Sequence, residues 1–440
     1  LLIPEWKLSR INIYTRVGGY MRFWQGTNQN FLSMQLGFLL LIASSSDALA
    51  QGSVPSNWKG TRPAAMGGAL TSVGNDENAP YTNPAGLGRS RNPRSRKNLH
   101  LISFPGLVVG GNAQVVSAVK DGMLKPGDRF ARFVDSARNK PDLESFAEAQ
   151  LYPVVTFGGK SSPTYLIGFP ARTENSFLFS STSEDPTGMT AQVRSLTDMG
   201  MALGIASTSK AATFAYGISV RPIYRYSYEN SQLQTESLSQ KSFAEEVKTN
   251  ANKVFGVGVD AGFIYTAADF WLPSIGVAVR NIPTGCKENY IHPISGKTLT
   301  VCGALFSGSV KNQDDNALLD PMELRVGYSI TPRIKTFGPT TNLRIAADAF
   351  PIPITTGGKS YGLSDMGISK LVHVGAELFF GNAMISHPFG IRAGLADDLP
   401  TFGGSFEILG LMLEYATYAI YRTGTTKVDR RHLIGISTRW

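Results

Sequence analysis

The sequence predicts an all-β protein, a closed antiparallel transmembrane β-barrel of about 14 strands and at most about 16. Three observations predict it. Charged residues are scarce, 17% of the 440, whereas glycine is abundant at 46 copies, a balance suited to tight turns between many strands. Stretch after stretch alternates apolar and polar with a period of two, the pattern of a strand with two different faces. Beyond residue 50 no apolar run reaches the roughly 18 residues a spanning helix needs, so membrane crossing falls to strands.

The chain opens with a leader. Residues 1–20 read as an upstream extension outside the native protein. Residues 21–50 read as a signal peptide: Met21-Arg22 is a charged start, Leu36 to Ala43 a short apolar core, and Ala48-Leu49-Ala50 a small-x-small cleavage pattern. Export is expected, with the mature chain starting at Gln51. Residues 51–96 are rich in small side chains and turn formers. Within them Pro84 bars helix at Asn83 and fixes a turn. Gly67, Gly68, Gly86 and Gly88 allow close backbone approach, and Met66, Leu70, Val73 and Leu87 call for burial. The acidic and amide run Asn75-Asp76-Glu77-Asn78 suits arginine partners.

Residues 97–440 hold the strand ladder. In PMELRVGYSI the apolar set Met322, Leu324, Val326, Tyr328, Ile330 opposes Glu323, Arg325, Gly327, Ser329. In NLRIAADAF, Leu343, Ile345, Ala347 and Ala349 oppose Arg344, Ala346 and Asp348. In LVHVGAELFF, Val372, Val374, Ala376, Leu378 and Phe380 oppose His373, Gly375 and Glu377. SIGVAVRN (274–281) and LMLEYATYAIYR (411–422) alternate likewise. Further strands read at 97–104, 150–158, 163–171, 173–182, 188–197, 199–209, 211–227, 253–266, 386–395, 400–409 and 430–440.

A soluble sandwich also alternates, with its apolar face inward. Here the strands approach the length of about ten residues that crosses a hydrocarbon layer, and the polar face mixes glycine with full charges. Aromatic clusters stand near strand ends, as in YRYSYE (224–229) and FWLP (270–273). The apolar face is therefore expected to meet membrane lipids. Glu323, Arg325, Arg344, Asp348, His373, Glu377 and Arg392 are expected to face the lumen. Closure follows because lipid leaves no partner for the backbone of an open edge. Long outer loops are expected at 105–149, 228–252 and 283–320, with short amphipathic helices at 129–138 and 240–251. Pro222 interrupts SVRPIYRY and removes a ladder bond; it reads as a kink or lateral opening, or as a proline near a strand end.

The net charge of +9 is dispersed. Its densest piece, Arg89, Arg91, Arg94, Arg96 and Lys97, lacks interleaved aromatics, so no nucleic acid is expected; a solvated turn or lipid phosphates suit it better. Cys286 and Cys302 are the two cysteines, and an exported chain favours a disulfide between them over a metal site completed by His292. Catalytic chemistry is not evident, and neither an enzyme nor a cofactor or metal is expected. GGKS at 158–161 and 357–360 lacks the earlier glycine of a phosphate loop, its place being taken by Val154 and Pro353. There is no GxSxG nucleophile motif, and the five histidines show no metal-binding spacing.

The last strand, RRHLIGISTRW, ends in Trp440 and resembles the terminal assembly signal of outer-membrane β-barrels. RPAAMGGALTSVGNDENAPYTNPAGLG, with Asn83, Pro84, Ala85 and Gly86 at its core, resembles the N-terminal segment of the FadL-type family of outer-membrane hydrophobic-compound transporters. The run from His373 to Ser437 is similar to that superfamily too, especially its PorV-like branch. The resemblance implies a plug inside the lumen formed by 51–96, an outer-membrane location, and passive passage of small hydrophobic molecules such as long-chain fatty acids. Its PorV-like side implies instead a sealed scaffold that binds an envelope protein. A leader lying unstructured in the periplasm is the alternative to the plug.

Overall fold

The computed structural model describes residues 60–89, 99–113, 115, 144–158, 163–181, 189–209, 211, 213–234, 240–291, 298–311, 315–332, 341–353, 371–382, 386–421 and 428–439. Ahead of the first strand lies a compact segment with two short helices, α1 (Thr61–Ala65) and α2 (Ala79–Thr82), and a 3-10 turn, Pro84–Arg89. Fourteen antiparallel strands then close into one barrel. They begin with β1 (Leu99–Asn112), followed by β2 in two pieces, Glu144–Leu151 and Val154–Phe157. Next come β3 (Thr164–Gly168 and Ala171–Ser181), β4 (Met189–Gly200 and Ala202–Thr208), β5 (Phe214–Gln234), β6 (Asn252–Thr266) and β7 (Ser274–Arg280). The rest are β8 (Glu323–Ile330), β9 (Thr341–Pro353), β10 (Val372–Asn382), β11 (Ser386–Ala396), β12 (Leu399–Ile408), β13 (Leu411–Tyr421) and β14 (Val428–Arg439). Each strand pairs with its chain neighbours, and β14 closes on β1, Val109 facing Ile434 and Asn112 facing Arg431.

Fourteen replaces the upper count of sixteen for a definite reason. The sequence segments 163–171 and 173–182 are two halves of β3, and 188–197 and 199–209 are two halves of β4. Prolines and glycines that read as turns are kinks within continuous strands. Tight reversals do occur elsewhere: Asp397-Asp398 (φ 53° and 65°) and Leu409-Gly410 (φ 53° and 81°) make two-residue turns with the positive φ values that match strand twist.

The face assignment decides the class. Val326 and Ile345 are 37% and 40% exposed on the outer wall, while Arg325 beside Val326 is 5% exposed. Phe214, Tyr216, Ile218, Phe263, Ile275, Ile391 and Ile434 share that outer face. A greasy outside around a charged inside is a barrel whose solvent is lipid. β1 begins and β14 ends on one rim, and the strand ends Asn112, Gln234, Arg280 and Pro353 lie on the other.

The loops differ from their sequence boundaries. The expected loop 105–149 is shorter, because β1 runs on to Asn112 and β2 starts at Glu144. The outward residues of early β2 are Ala147 and Ala149, too weakly apolar to reveal alternation. The segment 129–138 lies outside the described residues. Within 235–251, helix α3 (Gln240–Asn250) forms as the periodicity indicated. The 283–320 connection is not an open loop. Gly285–Ile291 pairs with Thr298–Ser309, the Cys286–Cys302 disulfide joins them, and Phe306–Ser309 also extends the β6 edge at Lys253–Gly256.

Candidate passage site in the barrel lumen

The segment 60–89 sits inside the barrel, where it touches inward faces from β2 round to β14. Asn83 shows why it folds as it does. Pro84 denies helix to the residue before it, and Asn83 is extended (φ −150°, ψ 110°), ending α2. Its carboxamide then acts as a hub. Nδ2 donates to the carbonyls of Thr71 (2.7 Å), Phe263 (3.2 Å) and Val277 (3.3 Å), and Oδ1 accepts from the Ala85 N–H (3.0 Å). Ala85 packs on Ala215 and Ile264, and Gly86 lies against the Gly74 carbonyl with no room for a Cβ.

The wall is shaped to receive this backbone. Gly204, Gly217, Gly262, Gly276, Gly375 and Gly394 all present bare Cα atoms to it. A methyl group at Gly276 would strike the Thr71 carbonyl, and one at Gly394 the Met66–Gly67 peptide.

One side of the contact is ionic. Glu377 accepts from three guanidinium groups: Arg62 (Nε 3.0 Å, Nη2 2.7 Å), Arg392 (2.7 Å) and Arg344 (3.2 Å). Asn75 (3.1 Å) and Asp76 (2.7 Å) brace Arg62 from within the segment and aim it at Glu377. Burial opposes the Arg62 charge, but Glu377 and then Asp76 outweigh it and raise its pKa above the ordinary arginine value. Arg89, at the segment's end, is lowered to about 10 by burial and by the nearby Arg344 charge. Asp348 accepts from the Thr71 N–H (2.7 Å), and the His373 Nδ1 lies 2.6 Å from the Gly67 carbonyl, so that nitrogen carries the proton. Thr61 donates to Glu414 (2.5 Å).

Of the residues expected in the lumen, Arg344, Asp348, His373, Glu377 and Arg392 thus gather around the segment. Glu323 and Arg325 pair with each other (2.8 Å), and Glu323 is also 3.5 Å from Arg280. Cys286 and Cys302 lie in the outer hairpin. Sequence reading missed Arg62 as a partner of Glu377. It also missed two buried networks: Arg221 with Asp260 and Asn281, and Arg225 with Asp198 and Asp320. Their signal was present as basic residues on the odd positions of β5. Among the described residues no group of three His, Cys, Asp or Glu could hold a metal.

The other side of the contact is apolar. Ala79, Tyr81 and Leu87 pack on Tyr152, Val154, Leu166, Ala202 and Ala206 of β2–β4. Directly at this level the wall is broken along a diagonal. Gly106 (φ 64°) bulges β1, and its carbonyl takes the Tyr152 N–H. The Pro153 carbonyl then takes Phe169 N–H, Pro170 takes Gly200, and Pro222 takes Met201. In an antiparallel ladder a residue's N–H and C=O face the same neighbour. Pro153 and Pro170 therefore each omit a donor toward the following strand, and Pro222 omits one back toward β4. Pro222, the one flagged from sequence, is the last of a series across five strands. At the β1 end a cavity of about 30 Å³, room for a water or two, lies among Thr61, Ser103, Gly106, Tyr152 and Glu414.

These features define a closed, fourteen-stranded transmembrane β-barrel. No family model and no curated relative matches the chain. Among solved structures it is similar to the Pseudomonas putida toluene transporter TodX, at 12% identity and a TM-score of 0.48, over 89% of this chain and 99% of that one. It is similar to a deltaS2 mutant of the TodX monoaromatic hydrocarbon channel, at 13% and 0.48, over 87% and 97%. A Pseudomonas aeruginosa FadL homologue follows, at 10% and 0.36, over 89% and 99%.

Proposed function

We propose that this barrel passes small hydrophobic molecules, long-chain fatty acids among them, passively across the outer membrane, with segment 60–89 as its plug. The observation that carries the reading is the apolar patch on the plug lying at the level of the proline seam. A water-filled pore needs a polar lining all round, whereas here Tyr81, Leu87, Val154 and Leu166 make one flank of the lumen greasy. A molecule that buries about 200 Å² of apolar surface there gains about 5 kcal/mol over water. The seam beside it lacks proline donors on three strands, so it is the cheapest part of the wall to part. Lipid lies immediately outside, against Phe169, Tyr216 and Tyr224. The exit is thus sideways, through the β2–β5 wall.

The test is uptake of labelled oleate and toluene by cells expressing the wild type, Pro222→Val, or Pro170→Val with Pro222→Val. Uptake above that of cells lacking the protein supports passage. A double variant that folds and still takes up both at the wild-type rate removes the sideways exit. No uptake by the wild type removes passage itself.

A further inference from the structure

We infer that Tyr81 occupies a ligand slot for a single aromatic ring, built by Arg221, Tyr152, Val154 and Leu166 and closed in this state by the plug's own side chain. The passage reading supplies only the route by which a ligand reaches the slot.

The geometry around the Tyr81 ring is that of a bound arene. The Tyr152 ring meets it edge-on, with centroids 5.4 Å apart and planes at 80°. The Arg221 guanidinium carbon stands 5.1 Å from its centroid. Val154, Leu166 and Leu87 pack in the same cluster, and Tyr81 is 5% exposed. Edge-on rings and a cation over a face are both preferences of a π-system, which an alkyl chain of equal size does not satisfy.

Arg221 makes the preference strong. It is 1% exposed, so its charge meets no bulk water. Its Nη2 is held by Asp260 (2.9 Å) and Asn281 (3.0 Å), while its Nε is buried with no hydrogen-bond partner. The charge is already balanced by Asp260, so a second carboxylate is not called for. The Tyr81 ring face gives the guanidinium a weak, broad source of electron density instead. Arg221 and Tyr152 belong to the wall, whereas Tyr81 belongs to the plug through α2. Displacement of α2 would empty the slot and leave its two aromatic-selective walls in place.

The test uses full-length protein in detergent and 19F NMR of fluorobenzene and 1-fluorohexane, with protein-free micelles as the reference. Tyr81→Ala is expected to bind fluorobenzene about tenfold more tightly than the wild type, the upper part of the cation–π range, and fluorohexane much less so. Adding Arg221→Met is expected to erase that preference while keeping an apolar cavity. Tyr81→Phe is expected to behave as the wild type. Heat-modifiable gel migration reports barrel closure; if Tyr81→Ala fails to close, Tyr81→Val is judged by the same comparison. A closed variant that binds both probes equally, or neither, overturns the slot. Uptake read in parallel separates the two claims: ring-selective binding without uptake refutes passage alone, and uptake without ring-selective binding refutes the slot alone.

Discussion

Replacing Glu377 by glutamine should release the plug from the wall. Glutamine keeps the volume but removes the charge on which Arg62, Arg344 and Arg392 converge. Arg62 and Glu377 are nearly solvent-free, with side-chain exposures of 8% and 2%, so water cannot replace the lost partner. Removing one member of such a buried pair costs about 3–5 kcal/mol. At about 1.4 kcal/mol per decade, the seated fraction of the plug falls by roughly two to three and a half orders of magnitude relative to the unseated one. Conductance in planar bilayers and trypsin cleavage after Arg89 measure that change directly. Wild-type protein should be silent and protected, Glu377→Gln leaky and nicked. Pairing it with Arg62→Met should restore part of the seating, since two missing partners leave less unmatched charge than one. If Glu377→Gln stays silent and protected, the ionic hub does not hold the plug.

Other outcomes follow from the same architecture. Asn83→Ala removes the carboxamide hub and should loosen the plug by about 2–4 kcal/mol, read as faster amide exchange over 70–86 with an intact barrel. Gly394→Val should push the Met66–Gly67 peptide off the wall and raise conductance, whereas Gly410→Ala, at a turn open on all sides, should leave conductance unchanged. Ile345→Arg on the lipid face should cost about 2–4 kcal/mol in urea unfolding from liposomes near the bilayer midplane, the opposite of what the adjacent inward Arg344 tolerates. Cys286→Ser should expose the outer hairpin to protease without altering barrel closure, because the bridge spans a separation of 16 residues and lies wholly within that hairpin.

Much of the barrel was legible because lipid imposes a strict period of two. Val326 and Ile345 face out and Arg325 and Ser329 face in, as their spacing indicated. The pattern failed where small residues or prolines weaken it. Ala147 and Ala149 concealed the start of β2, and Pro170 made one kinked strand look like two. The lumen was legible only by face, not by partner. Period two places Glu377 inside but cannot say that Arg62, 315 positions earlier, reaches it. Tyr81 and Tyr152 were hidden for the same reason: each sits beside a proline in an irregular stretch, and their contact exists only once the chain has closed.

The plug's wide reach has a bearing on assembly. It leans on β4 and β5 through Leu87 and Pro84, and on β12, β13 and β14 through Ala65, Thr61 and their neighbours. Those strands are made at opposite ends of synthesis. A residue stretch that needs both cannot finish docking until the early and the late strands stand in one wall. Contacts so distant along the chain form slowly. Sealing of the interior is thereby made a late event, and a cylinder left ajar would also be one that leaks.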